Sequence, residues 1–340
     1  MTFEEIMAEI KGELTGDVKS DVTYLMEVTK QYMDHELSSE IAKACGILIM
    51  EIVPKELKGK VDEILKEDKL GVAEAIEEAE ANLDLGKYNV ALEILAEMIA
   101  KVEAVDLYKT NDLFEYRNFT TAFEEISYRF IYKPKKKLKA APEPFASLYY
   151  LYGNILVEIK RYSEAQEAFE KAMYWNPTNA EIAFEYAETF KIQNKLEDFI
   201  SITRHLFKTA YRPVQIAHAY RNFGFYFIEK ELWPVAIGCL KLSMEFEREN
   251  KAAQAELDYI DSKIDDDIEE PSLEKLKYYA EKYDFPTWAS NEVISLAVSY
   301  GKQALEDKQY PAARYFLEIA YGLVPNDEIK ELLAKIPEEN

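Results

Sequence analysis

The chain has 340 residues, 48% of them apolar, with 64 Asp and Glu against 41 Lys and Arg and a formal net charge of −23. So acidic a surface repels phosphate backbones, whose binding needs clustered Lys and Arg, and nucleic acid is excluded as the general partner. No run of about 18 apolar residues exists, and the best candidate, Ala44–Val53, is too short to span a bilayer, so no membrane partner is expected either. The start, M-T-F-E-E-I-M-A-E-I, lacks a charged-then-apolar signal pattern, and a cytoplasmic location is the expectation.

Residues 1–66 read as an N-terminal helical region. Asp21–Glu36 and Ser38–Ile52 are amphipathic at helical spacing, with Val22, Leu25, Met26, Val28 and Met33 on one and Ile41, Ala44, Cys45, Leu48 and Ile52 on the other. The region is expected to cap a following array or to bind a partner. The two cysteines, Cys45 and Cys239, each lie in an apolar helical context without a C-x-x-C pair and read as small buried hydrophobes.

Residues 67–145 hold a helix–turn–helix unit around Ala91, in L-G-K-Y-N-V-A-L-E-I-L, and then Leu113–Ile131, which is helical in pattern but matches that unit poorly. The stretch Lys133-Pro-Lys-Lys-Lys-Leu-Lys139 follows, flanked by prolines that stop helices, and reads as a solvated basic linker.

The strongest unit is Ala146–Asn179, A-S-L-Y-Y-L-Y-G-N-I-L-V-E-I-K-R-Y-S-E-A-Q-E-A-F-E-K-A-M-Y-W-N-P-T-N. Two antiparallel helices approach to about 8–10 Å only where small side chains meet, the part expected of Gly153, Ala165 and Ala172. Tyr149, Tyr152, Leu156 and Phe169 fill the space around them. Asn176 precedes a proline and is pushed out of the helical region, so the second helix ends there. Asn179 is placed to cap the next helix, with Glu181 in its first turn. With Tyr149 and Gly153 in the first helix, Tyr162 after the turn, Ala165 and Ala172 flanking Phe169, and Asn176-Pro177 at the end, the unit resembles a tetratricopeptide repeat.

The small residue after the turn recurs at Ala91, Ala165, Ala236 and Ala313, spaced by 74, 71 and 77 residues, each two periods of 34 plus a remainder. A weaker unit should therefore lie in every gap. Ala180–Pro213 supplies one, with Phe199 one period after Ala165, an enlarged position that predicts looser packing. Lys251–Ile264 and Ser272–Tyr283 read as another pair, joined by the acidic loop Asp265-Asp-Asp-Ile-Glu-Glu270, with Ser272 as a cap. A terminal helix spans Asp327–Ile336, started by Asn326 or Asp327. The main array is placed at 146–336 with this C-terminal cap. The fold expected is all-α, a right-handed superhelical solenoid of tetratricopeptide-like repeats, since no single unit buries its own apolar face.

The search for chemistry is nearly empty. His35, His205 and His218 have no metal-ligand spacing, and there is no G-x-S-x-G, nucleotide-binding glycine loop or calcium-loop pattern. No catalytic, cofactor or metal site is assigned, and none of these is expected. The resemblance instead implies a groove lined by the first helix of each unit, where a protein or peptide partner lies. Carried over residue by residue, it offers Tyr150, Asn154 and Glu158, then Phe184, Glu188 and Lys191, then His218, Arg221, Phe225 and Glu229. Tyr150, Phe184 and Phe225 read as an aromatic row, since rigid aromatics dominate interface hot spots. The subtype that grips a chaperone's C-terminal carboxylate is disfavoured, because Tyr150 stands where a lysine is needed and Glu188 would repel the carboxylate. A non-catalytic scaffold or adaptor is the reading. The alternatives are a regulator whose groove senses a signalling peptide, with Lys43 as the sole base of Ser39–Glu51 arguing against a DNA reader, and an enzyme with a scattered site.

Overall fold

A computed structural model describes residues 2–53, 70–104, 110, 114–264 and 270–337. The chain divides into two compact units, Met1–Arg117 with Pro134–Pro144, and Asn118–Lys133 with Phe145–Asn340. The acidic loop expected at 265–270 lies almost wholly outside the described residues.

In the first unit, α1 (Phe3–Gly12), α2 (Val18–Gln31) and α3 (Ser38–Ile52) enclose their own core of Ile6, Ile10, Val22, Leu25, Ile41 and Cys45. The α1–α2 turn is pinned by the buried Asp21, whose carboxylate accepts from Thr15 N at 2.7 Å, Thr15 Oγ1 at 2.8 Å and Gly16 N at 2.8 Å. Gly16 turns the chain at φ +85°, where a side chain would strain. The Thr15 N–H, foremost among these donors, holds the Asp21 carboxyl below its ordinary range. Next come α4 (Val72–Asp84) and α5 (Tyr88–Ala104), a packed pair with Ala79, Ala91 and Leu95 buried between them.

Two sequence expectations fail in this unit. Residues 114–117 are a strand, β1 (Phe114–Arg117), and residues 137–140 are a second, β2 (Lys137–Ala140), paired in parallel with Phe114 opposite Lys137. The basic stretch is therefore not a solvated linker. Lys139 reaches inward, donating to Met33 O at 2.6 Å and Ser38 Oγ at 2.7 Å with its ammonium 3.6 Å from the Phe114 ring centre. Burial lowers its pKa, and three favourable contacts keep the cation there.

The second unit contains α6 (Ala122–Tyr132) and then the array: α7 (Phe145–Glu158), α8 (Tyr162–Trp175), α9 (Ala180–Ile192), α10 (Leu196–Thr209), α11 (Pro213–Glu229), α12 (Trp233–Phe246), α13 (Lys251–Lys263), α14 (Leu273–Tyr283), α15 (Asn291–Glu306), α16 (Tyr310–Leu323) and α17 (Asp327–Ala334). A Cβ added to Gly153 would meet Phe169 Cε1 at 2.7 Å, one at Gly224 would meet Leu240 Cδ2 at 2.7 Å, and one at Gly301 would meet Leu317 Cγ at 2.7 Å. In each pair the large residue follows the glycine by the same interval (153 and 169, 224 and 240, 301 and 317). Glycine is required there because the facing side chain fills the space a Cβ would take. Ala165, Ala236 and Ala313 are fully buried in the same register, as the alanine spacing predicts.

The pair α9–α10 keeps the register with different volumes. Ala187 takes the glycine position, Phe199 the alanine position and Thr203 the place of Phe169 or Leu240, and all three are fully buried. The α9 and α10 backbones approach each other along less of their length than those of α7–α8, α11–α12 and α15–α16, as the enlarged position predicts, and the Phe199 ring is still fully buried because the residue one turn later is small. The large residue sits one turn earlier than in the other pairs, with alanine in place of glycine and threonine in place of the ring, so the layer holds more side-chain volume and the helices stand further apart.

Caps fall where the sequence places them: Asn179 accepts from Ile182 N, Ser272 from Lys275 N and Asn326 from Ile329 N. Two features depart from a simple stack. Helices α13 and α14 both pack on α12, with Leu276 seated against Gly238, instead of forming a pair of their own. The segment expected as a degenerate repeat at 113–131 yields α6, which sits out of chain order. Its Phe123 lies 4.9 Å from Tyr211 and 6.3 Å from Phe316, and α15 packs on both α6 and α10. Among the described residues no helix is long and apolar enough to cross a membrane.

Candidate functional site

The first helices of the array place their outward residues on one face, with α7 packed on α9 and α11 on α13. Registered on Gly153, Ala187, Gly224 and Gly301, the equivalent positions are Tyr150, Phe184, Arg221 and Val298, and one residue past each register position come Asn154, Glu188, Phe225 and Lys302. Tyr150, Phe184 and Phe225 thus do not form one row. Phe225 belongs with Asn154, and the residue equivalent to Tyr150 on α11 is Arg221.

Phe184 also departs from its expected role. It is 2% exposed and belongs to the continuous core, because the His218 ring stacks flat on it at 4.0 Å and 11°. An alanine at Phe184 therefore reports on folding, not on partner contact. The other candidates stay partly or fully accessible: Tyr150, Asn154, Glu188, Lys191, His218, Arg221 and Phe225 are half-buried, and Glu158 and Glu229 are exposed.

Several of these residues meet. Lys191 pairs with Glu188 at 3.2 Å and sits 4.5 Å from the centre of the Phe225 ring. Phe225 in turn stands edge-on to buried Phe199 at 6.0 Å. Arg221 reaches Glu247, the residue that follows α12, at 2.9 Å. The Asn154 amide oxygen is buried and finds no hydrogen-bond partner. On the last pair Lys302 is taken up by Glu328 of α17 at 2.8 Å, which leaves that end without a free cation from this position.

The electrostatics reveal carboxylates that sequence reasoning passed over. Burial, then the neighbouring Glu188, Glu181 and Glu158, pushes the Glu185 carboxyl above its ordinary range. Burial also raises Glu256 on α13, with Lys191 opposing and Glu229 adding to the shift. The Tyr150 phenol is raised by burial and further by Glu185 and Glu181, against its contact with Asn154. Glu181, Glu185 and Glu188 follow helical spacing on α9, a signal present in the sequence but hidden among 64 acidic residues.

His218 is held neutral to about pH 4, mainly by burial, then by the positive charges of Arg221 and Lys191, with Glu247 opposing. Unfolded, the same ring titrates at 6.5. Between those values the unfolded chain binds more protons, so stability rises with pH and is lost as pH falls from about 6.5 towards 4. Such a depression amounts to about 3 kcal/mol, and partial exposure reduces it to about 2 kcal/mol. His218→Phe keeps the stack on Phe184 and removes the titration. Its denaturation midpoint should fall less steeply between pH 7 and 4.5 than that of the wild type, and parallel curves would contradict the assignment.

Among the described residues no cluster of three or more His, Cys, Asp or Glu is placed to hold a metal ion. What the face offers is a half-buried aromatic and cationic centre of His218, Arg221, Lys191 and Phe225 set among carboxylates. The sequence model of the family described as "Tetratricopeptide repeat" matches residues 146–179, the unit that carries Tyr150, Asn154 and the Gly153–Phe169 contact. This unit is a tetratricopeptide repeat. No curated protein matches the chain. Solved structures similar to this repeat protein include MamA, at 17% identity over 55% of this chain and 85% of that one with a TM-score of 0.38. A tetratricopeptide repeat protein from Parabacteroides merdae is 16% identical over 79% of this chain and 99% of that one, at a TM-score of 0.40. A chain of the APC/C hetero-tetramer Cut9–Hcn1 is 15% identical over 95% and 60%, at 0.34.

Proposed function

We propose that this repeat protein is a non-catalytic scaffold that holds a protein or peptide partner on the face formed by α7, α9, α11 and α13, and that the bound segment is cationic. The observation that carries the reading is Glu185, half-buried beside Glu158, Glu181 and Glu188, with a carboxyl pushed above its ordinary range and no basic side chain paired with it among the described residues. A lysine or arginine entering there relieves repulsion that the free protein bears. The unpartnered Asn154 oxygen accepts a donor from the same ligand, and Phe225, backed by Phe199, gives it a rigid apolar surface. The buried free thiols of Cys45 and Cys239 are compatible with a reducing compartment, and a cytoplasmic location is part of this proposal.

The test is fluorescence anisotropy with two dye-labelled peptides of equal length, one rich in Lys, Arg and Tyr and one in Glu and Tyr. The cationic peptide should bind, and Glu185→Lys should weaken it at least tenfold. Affinity should also fall as pH drops from 7 towards 5, because the free protein's Glu185 takes up a proton that the bound cation must displace. Equal binding of both peptides, or indifference to Glu185→Lys, would sink the reading.

A further inference from the structure

We propose that the second unit carries a separate small-molecule pocket between α6, α10 and α15, fitted to a neutral, mainly apolar ligand with one hydrogen-bonding group. The cavity there is about 270 Å³ and its walls are Phe130, Ile131, Val293 and Leu296, with Ser127 inside and Lys208 and Glu292 at the rim. It holds roughly the space of nine liquid waters, which suits a ligand of about that many non-hydrogen atoms.

Ser127 decides the chemistry. It is 2% exposed, and its hydroxyl has no hydrogen-bond partner in the protein. Hydroxyls within helices commonly turn back to the carbonyl four residues earlier, as half-buried Thr29 does to Leu25 at 2.8 Å and buried Thr203 does to Phe199 at 3.0 Å. Ser127 does not, and stays available to whatever enters the cavity. The remaining polar groups are already engaged or balanced. Ser290 donates to Glu292 at 2.9 Å and accepts from Val293 N at 3.3 Å. Lys208 and Glu292 carry opposite charges, so the rim attracts neither ion class strongly.

The position in the fold explains why a cavity exists. Helix α6 lies out of chain order against α15, so its side chains are not set by the glycine–aromatic register that closes the repeat pairs. Phe130, 45% exposed, is left at the mouth. Entry is open because a larger depression of about 830 Å³, lined in part by Arg204 and Trp288, shares Lys208, Ser290 and Glu292 with this one.

The experiment is saturation-transfer NMR with dissociation constants from titration, on the full chain, using 4-methylphenol, 1-hexanol, toluene and hexanoate as probes. The two hydroxylic probes should bind, and hexanoate should bind more weakly than hexanol. Leu296→Trp, which fills the cavity, should abolish binding of both. Ser127→Ala removes one atom and should weaken 4-methylphenol about three- to tenfold while leaving toluene unchanged, a difference that a general loosening of the fold would not produce. The proposal is overturned if no hydroxylic probe binds the wild type, if hexanoate is preferred, or if Ser127→Ala moves toluene and 4-methylphenol equally.

Discussion

Phe199→Ala is expected to cost this protein about 3–5 kcal/mol, seen as a lowered denaturant midpoint, and Thr203→Phe placed on top of it should return part of that loss. Phe199 is fully buried where every other clear repeat has alanine, and Thr203 is fully buried where they have Phe or Leu. Alone, Thr203→Phe adds a ring to a filled layer and should cost about 1–3 kcal/mol. Together the two changes restore the arrangement of Ala165 and Phe169 except that Ala187 stands where Gly153 does, so the coupling between them should be favourable but limited by that Cβ. Recovery stays incomplete because Asn222, itself buried, donates to the Thr203 hydroxyl at 3.4 Å and loses that acceptor. The single Phe199→Ala should also weaken partner binding, since Phe225 leans on that ring beneath Lys191. Additive single effects would show that residues 199 and 203 do not share one packing layer.

That exchange shows what was legible in the sequence and what was not. The alanines at 91, 165, 236 and 313 announce their helix pairs because each must fit a space that admits nothing larger, a property of one position. The exchange in α9–α10 is a property of two positions one turn apart: Phe199 by itself announces the wider spacing of the pair, but not the small Thr203 that lets the ring be buried. Strands β1 and β2 were illegible for another reason. Four residues are too few for an alternation pattern, and Lys139 enters the interior only because Met33 O, Ser38 and Phe114, all distant in sequence, receive its charge.

The groove was legible in part. Tyr150, Asn154, Arg221 and Phe225 lie on the expected face, yet the alignment that put them there could not tell that His218 would cover Phe184. Nor could it rank acids. Glu185 matters because burial and three neighbouring carboxylates act on it together, which needs α7 and α9 side by side. The cavity beside Ser127 was invisible, since it depends on α6 docking far from its place in the chain.

That docking rests on Glu124, and Glu124→Ala is expected to destabilise the second unit by about 3 kcal/mol or more. Glu124 is 3% exposed, and its carboxylate accepts four hydrogen bonds: from Thr120 N at 2.8 Å, Thr121 N at 3.1 Å, Asn176 Nδ2 at 2.8 Å and Asn179 Nδ2 at 3.0 Å. Its backbone oxygen takes a fifth from Thr178 Oγ1 at 2.9 Å. The side chain thus closes the capping box of α6 with Thr121 and at the same time orients Asn179, whose own oxygen caps α9. Alanine leaves donors at both helix starts unsatisfied in a buried place. Glu124→Gln, nearly the same shape, turns an amide NH₂ towards groups that are all donors, and should cost about 1–3 kcal/mol. Hydrogen exchange gives the finer check: in both variants the first turn of α9 should lose protection before α11 does, because only α9 is capped through this carboxylate. If Glu124→Ala moves the midpoint no more than an exposed glutamate such as Glu167 does, α6 is held by Phe123 and its apolar contacts alone, and the Asn176–Asn179 turn needs no help from it.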